Sequence, residues 1–259
     1  MISSAPEIAA TPSPLALAAE QGASALPEQA NALVRARSFA QPLIEHELLD
    51  TGENILAHAD AVAGILRSMG GSEAMQAAAY LVYACDHLNK PQDVIAKAFG
   101  EGFAQLAVQT TKLMQVQRQA RIAEHQGSKE GQLAQSAAQR TETVRKMLLA
   151  FSKDLRVVML RLASRMQTLR HYAAIKQSAP FDLAHESLHV FAPLANRLGI
   201  WQLKWEMEDL AFRFLEPDTY KSVAQWLDAK RVEREADMLR LRERVTQALK
   251  EQGLSLIHI

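Results

Sequence analysis

Three consecutive residues, Cys85-Asp86-His87, bring together a thiol, a carboxylate and an imidazole, the side chains that ligate metals and move protons. On a helix, consecutive side chains point about 100° apart, so these three cannot all face one pocket. A site built here therefore needs partners from other elements. His58 lies upstream in GENILAHADAVAGIL; a lone histidine in a helical pattern is more often a core or surface residue than a ligand. Cys85 reads as a small buried hydrophobe. Arg145 and Lys146 could contact an anion, but pairing across a helix surface is the reading preferred here. Arg197, in LANRLG, reads as structural.

The elements that must position these residues are helical throughout. Ala57 to Met69 repeats apolar residues at helical spacing and ends at Gly70-Gly71. Ser72 is placed to cap the next helix, with Glu73 in its first turn. That helix runs to about His87 and is rich in alanine, which permits close packing. Pro91 opens a shorter helix to Ala98, and Gly100 and Gly102 bracket a turn. Residues 103–124 are helical again, and Gly127 to Gly131 forms a polar, mobile loop. Val144 to Phe151 and Leu155 to Tyr172 form a helix pair, with Ser152 as a cap between them. Phe191 to Leu227 holds all three tryptophans and three of the eight phenylalanines. Such clustering predicts a core element, with a helix from Ile200 to Leu215 buried on several sides. Lys204 and Glu208 are one turn apart and can pair, and Pro217 stops the helix. No strand is expected before the last six residues. The fold class is all-α.

Residues 1–30 hold four of the nine prolines and no basic side chain, which predicts a disordered tail. The 29 basic and 29 acidic residues balance, so no global field draws nucleic acid or an anionic membrane. The single cysteine excludes an internal disulfide and fits a reducing compartment. No apolar run approaches a membrane span and no signal peptide is evident, so a cytoplasmic protein is expected, with no membrane contact and no direct nucleic-acid binding. Asp228 to Glu251 carries seven basic and six acidic residues on a helical pattern, a solvated helix with weak surface pairs.

Two stretches go beyond a generic helical protein. APLANRLGIWQLKWEMEDLAFRFLEPDTYKSVA (Ala192 to Ala224) closely resembles the segment following the hydrolase core of long RelA/SpoT-type enzymes, which make and degrade the alarmone (p)ppGpp. TVRKMLLAFSKDLRVVMLRLASRMQTLRHY (Thr143 to Tyr172) resembles the same family's core helix pair. With weaker similarity from Arg35, the resemblance covers about 35–250. It implies an HD-type helical bundle over 31–227, a connecting helix over 228–253, and a synthetase domain beyond.

The family's hydrolase holds a divalent metal, usually manganese, through an early histidine, an adjacent His-Asp pair and a later aspartate. Such a metal activates water for attack on the 3′-pyrophosphate ester. By resemblance, His58 takes the place of the early histidine. Val82 and Tyr83 in AAYLVYACDHLNKP stand where the His-Asp pair belongs. Asp86 and His87 fall at the catalytic Glu-Asp, of which only the first keeps its acidic character. In RLASRMQTLRHY, Ser164 replaces the later aspartate, and Thr168 an asparagine that contacts the nucleotide. A basic pair has become Leu49 and Asp50. Three of four ligands are thus replaced. Outer-shell losses alone cost about 10–100-fold each, so three ligand losses imply at least roughly 10³–10⁶-fold. The expectation is a degenerate pocket holding no metal and no catalytic residue.

This pattern resembles the RelA branch, in which the hydrolase fold persists without hydrolase activity while the synthetase works. The implied role of 35–227 is to restrain an adjoining synthetase domain in cis. That domain would transfer pyrophosphate from ATP to the 3′-hydroxyl of GTP or GDP with magnesium, and none of it lies in these residues. Ribosome and tRNA contacts belong to C-terminal regions in the family. The final LSLIHI departs from the family pattern, so residues 254–259 are expected to be a cloning or assembly artefact at the end of a fragment. Two other functions compete: an active metal-dependent hydrolase with altered ligands, and a stand-alone helical interaction module.

Overall fold

The computed structural model describes residues 32–125, 142, 146 and 154–251. The expected tail, the Gly127–Gly131 loop, the Ser152 cap, Arg145, most of the Val144–Phe151 helix and residues 254–259 lie outside them. The described residues fall in two compact units divided between Phe214 and Leu215. Among them the only β-pairing is an isolated antiparallel bridge, Leu48 with Asn54. No helix among the described residues is long and apolar enough to cross a membrane.

The first unit contains α1 (Ala32–Ile44), α2 (Ile55–Ser68), α3 (Glu73–Ala84) and a 3₁₀ turn, Cys85–His87. It continues with α4 (Pro91–Phe99), α5 (Glu101–His125), α6 (Leu155–Ala174) and α7 (Phe181–Glu186). A wide π-type turn (Ser187–Phe191) leads into α8 (Ala192–Arg197) and α9 (Trp201–Leu215).

Local chemistry sets the ends of the helices that matter most. Asn54 caps α2 by accepting from the Ala57 amide at 3.0 Å. The end of α2 is a Schellman motif: the Gly71 amide donates to the Leu66 carbonyl at 2.8 Å and Gly70 to Arg67 at 3.0 Å. Gly70 has φ of +75°, and a Cβ on Gly71 would lie 2.8 Å from the Leu66 oxygen. Both glycines are therefore required for the chain to turn directly into α3. Ser72 caps α3 as its sequence position predicts, accepting from Met75. Asp154 caps α6, accepting from the Arg156 amide at 3.0 Å.

Helix α3 is the centre of the core. Every residue from Met75 to Ala84 is buried, and α1, α2 and α5 all pack on it. Ala77, Ala78 and Ala79 let the neighbouring backbones approach closely. Met75, Leu81 and Val82 supply the apolar area, each contributing roughly 1.5–3 kcal/mol when buried. Helix α6 packs against α2 and α5, burying nearly all of Val157 to Met166.

Helix α9 corrects one expectation. Leu203, Met207 and Ala211 are buried at four-residue intervals, a single stripe, whereas Trp201 and Trp205 are 54% and 62% exposed. Apolar density along a helix reports how much hydrophobic area exists, not how many faces meet a core. Phe191, at the entry to this region, is fully buried. The Lys204–Glu208 pair forms at 2.8 Å.

The second unit is dominated by α10 (Pro217–Glu251), one continuous 35-residue helix. The boundary read at 227/228 falls inside it. Its surface carries the expected pairs, including Arg231–Asp228 at 2.9 Å and Arg240–Asp237 at 2.6 Å. Trp226 is 61% exposed.

Candidate functional site

A cavity of about 240 Å³ opens between α2, α3, α5 and α6. The fold gathers His58, Val82, Tyr83, Asp86, Ser164 and Thr168 on its walls, although they lie up to 110 residues apart in sequence. Leu49 and Asp50 line it as well. His87 does not: the 3₁₀ turn after α3 leaves His87 exposed and away from the cavity and puts Asp86 at its exposed rim, while Cys85 stays buried. The run Cys85-Asp86-His87 therefore forms no common site, as the angular argument requires. Burial pushes the Cys85 thiol up to about 11, so it behaves as a packed hydrophobe. Lys146 and Arg197 are both exposed, and neither lines the cavity.

The floor of the cavity is a chain of hydrogen bonds. His58, wholly buried, faces Glu53 with Nδ1 at 2.7 Å from Oε2 and Ser164 with Nε2 at 3.2 Å from Oγ. A carboxylate only accepts, so Nδ1 carries the proton and donates to Glu53. In the neutral ring Nε2 then accepts the Ser164 hydroxyl. The serine oxygen in turn meets Tyr83 Oη at 3.2 Å and, at a longer 3.5 Å, Arg161 Nη1. Arg161 is anchored by Nη2 donating to Gln117 Oε1 at 2.8 Å. On the other side, Gln167 donates to Glu53 Oε1 at 2.6 Å.

Electrostatics follow from these partners. Burial pushes the Glu53 carboxyl up. Hydrogen bonds from His58 and Gln167, with the nearby His58 and His171 rings, outweigh it and hold Glu53 below its ordinary value. Burial raises the Tyr83 phenol, so it stays protonated and available as a donor. Around the rim, charges are paired: Arg118 with Asp50, and Gln115 donating to Asp86 at 2.8 Å. At the back wall Arg165 binds Glu186 at 2.8 Å with both side chains buried, and its guanidinium lies 4.4 Å from the centre of the Phe191 ring. Thr168 donates to the Ser164 carbonyl at 3.0 Å.

Four members of this network, Glu53, Arg161, Gln117 and Gln167, are not singled out by the sequence. Glu53 lies five residues before His58, on the turn ahead of the cap, a spacing that suggests no shared face. Arg161 does carry a signal, since it precedes Ser164 by three residues on one helix and so shares its face. Gln117 and Gln167 have no such mark.

The donor set does not fit a divalent metal. Val82 offers no lone pair, and a phenol and a neutral serine hydroxyl are poor ligands for manganese or zinc. Arg161 also places a permanent cation beside Ser164, where a metal would meet like charge. Among the described residues no cluster of three or more His, Cys, Asp or Glu side chains has a geometry to hold an ion.

Residues 36–201 match the family model described as HD domain. Over 222 residues, 86% of the chain, it is 36% identical to a probable guanosine-3′,5′-bis(diphosphate) 3′-pyrophosphohydrolase of Synechocystis, covering 27% of that protein. It is 30% identical to a GTP pyrophosphokinase of Myxococcus xanthus over 85% of the chain and 28% of the relative. A 99-residue stretch, 38% of the chain, is 43% identical to the GTP pyrophosphokinase of Escherichia coli K12, covering 13% of it. The chain thus spans about a quarter of the length of the first two relatives.

Proposed function

The chain belongs to the HD-domain family, with relatives named as RelA/SpoT-type synthetases and hydrolases, and from that premise we propose that it is a regulatory HD module without (p)ppGpp hydrolase activity. In this reading it restrains a synthetase region elsewhere in a longer cytoplasmic protein. That region transfers pyrophosphate from ATP to the 3′-hydroxyl of GTP or GDP with magnesium, and ribosome and tRNA are partners through further C-terminal regions. The observation that carries the proposal is the content of the cavity. Val82, Tyr83 and Ser164 line it, at the positions where the resemblance to the RelA/SpoT-type hydrolases expects three of the four metal ligands, and His58 is committed to Glu53 and Ser164. A hydrogen-bonded floor with its own internal cation gives the domain a stable core where a metal centre would otherwise order it.

The test is pyrophosphate release from ppGpp with manganese. The chain is expected to give no turnover above the buffer rate. The triple variant Val82→His, Tyr83→Asp, Ser164→Asp is expected to regain manganese binding measurable by calorimetry. Wild-type turnover that disappears in His58→Ala or Asp86→Ala would overturn the proposal in favour of an active hydrolase with altered ligands.

A further inference from the structure

The polar floor of the cavity has the geometry of an activated serine. Ser164 Oγ lies 3.2 Å from His58 Nε2, and His58 Nδ1 lies 2.7 Å from Glu53 Oε2. This is the order nucleophile, base, orienting carboxylate that acyl transfer requires, and it arises from residues on three different elements. Two further donors, Tyr83 Oη at 3.2 Å and Arg161 Nη1 at 3.5 Å, converge on the same serine oxygen. Donors so placed can follow negative charge onto a carbonyl oxygen bound beside Ser164. Ser164 and His58 both line the cavity. Its 240 Å³ is below the usual 300–1,000 Å³ of drug-sized ligand sites, and Leu49, Val82, Met114 and Leu183 supply apolar wall.

We propose that this pocket is a serine acyl-transfer site, with Ser164 as nucleophile, His58 as general base, Glu53 as the positioning carboxylate, and small carboxylic esters as the substrate class. The Ser164 oxygen bonds to the ester carbonyl carbon as its proton passes to His58 Nε2, and the carbonyl electron pair moves to the oxygen held by Tyr83 and Arg161. Collapse breaks the bond to the leaving oxygen, which takes the proton from His58 and departs as the alcohol. Water, losing a proton to His58, then attacks the acyl-serine; the acid departs and Ser164 recovers its proton. No metal or redox partner enters the balance. The inference does not depend on the regulatory reading above, since pyrophosphate release and ester cleavage are separate measurements.

The experiment is labelling of the purified chain with a biotinylated fluorophosphonate, followed by peptide mapping, with p-nitrophenyl acetate as turnover probe. The expected result is one adduct, on Ser164, with labelling at least about 10²-fold slower in His58→Gln, the scale of a lost general base. Tyr83→Phe is expected to slow p-nitrophenyl acetate turnover by about 10²-fold, the scale of one lost oxyanion donor. No adduct, an adduct on another residue, or an unchanged labelling rate in a folded His58→Gln protein overturns the proposal. Should either variant fail to fold, the position of the wild-type adduct decides by itself.

Discussion

Replacing Glu53 with glutamine tests the polar floor directly, because the two side chains have one shape and differ only in hydrogen-bond grammar. The Glu53 carboxylate accepts on both oxygens, from His58 Nδ1 at 2.7 Å and Gln167 Nε2 at 2.6 Å. Glutamine accepts on one and must present an amide donor to the other partner, itself a donor. At the accepting oxygen a charge-assisted bond of about 1.5–3 kcal/mol becomes a neutral one of about 0.5–1.5 kcal/mol. At the other, a buried donor left unmatched costs about 1–3 kcal/mol. Together these predict a loss of roughly 2–4 kcal/mol, or about 4–16 °C in Tm for a protein of this size. Flipping the His58 tautomer, so that Ser164 accepts instead of donating, brings the cost to the lower end.

The pH dependence carries a second signature. The folded Glu53 titrates below its ordinary value of 4.5, so its stabilisation is fully present above that value and is lost as pH falls through the folded one. The gap between wild type and Glu53→Gln should therefore be widest near neutrality and narrow below 4.5. Thermal melts followed by far-ultraviolet circular dichroism across that range make the measurement. Equal melting temperatures near neutrality, or parallel curves through the acid limb, would refute the reasoning.

Other expectations follow from the same geometry. Glu186→Ala strands the buried Arg165 guanidinium and should destabilise the chain by about 3–5 kcal/mol, read from urea denaturation. Tyr80 is raised to about 12 by burial and by its hydrogen bond to Asp60; in Asp60→Asn, spectrophotometric titration should find it lower but still above 10.0, because burial is the larger cause. The buried Cys85 thiol, raised to about 11, should react with a disulfide reagent far more slowly in the native protein than after unfolding in guanidinium. Trp201, Trp205 and Trp226 should give red-shifted emission quenched readily by iodide, whereas a blue-shifted, protected signal would contradict their exposure.

The helical ledger was legible in the residues themselves, because it rests on local rules. The glycine pair that turns α2 into α3, the Ser72 cap, the Pro91 start and the Lys204–Glu208 pair each depend on neighbours within one turn. The positions of the pocket, too, could be carried from a family pattern, and the fold places all but His87 on one cavity. What neither spacing nor pattern conveys is the partner of each group. Glu53 and His58 are close in sequence, yet their contact depends on how the turn before Asn54 folds back toward α6, with Gln167 closing the other side. The exposure of Trp201 and Trp205 is of the same kind. Composition made them look like core, and only the direction in which α9 docks its Leu203–Met207–Ala211 stripe decides that they face outward. Sequence fixes which groups exist and which turns they occupy. Packing decides which of them meet, because a hydrogen bond or a buried face needs two surfaces and the chain lists only one at a time.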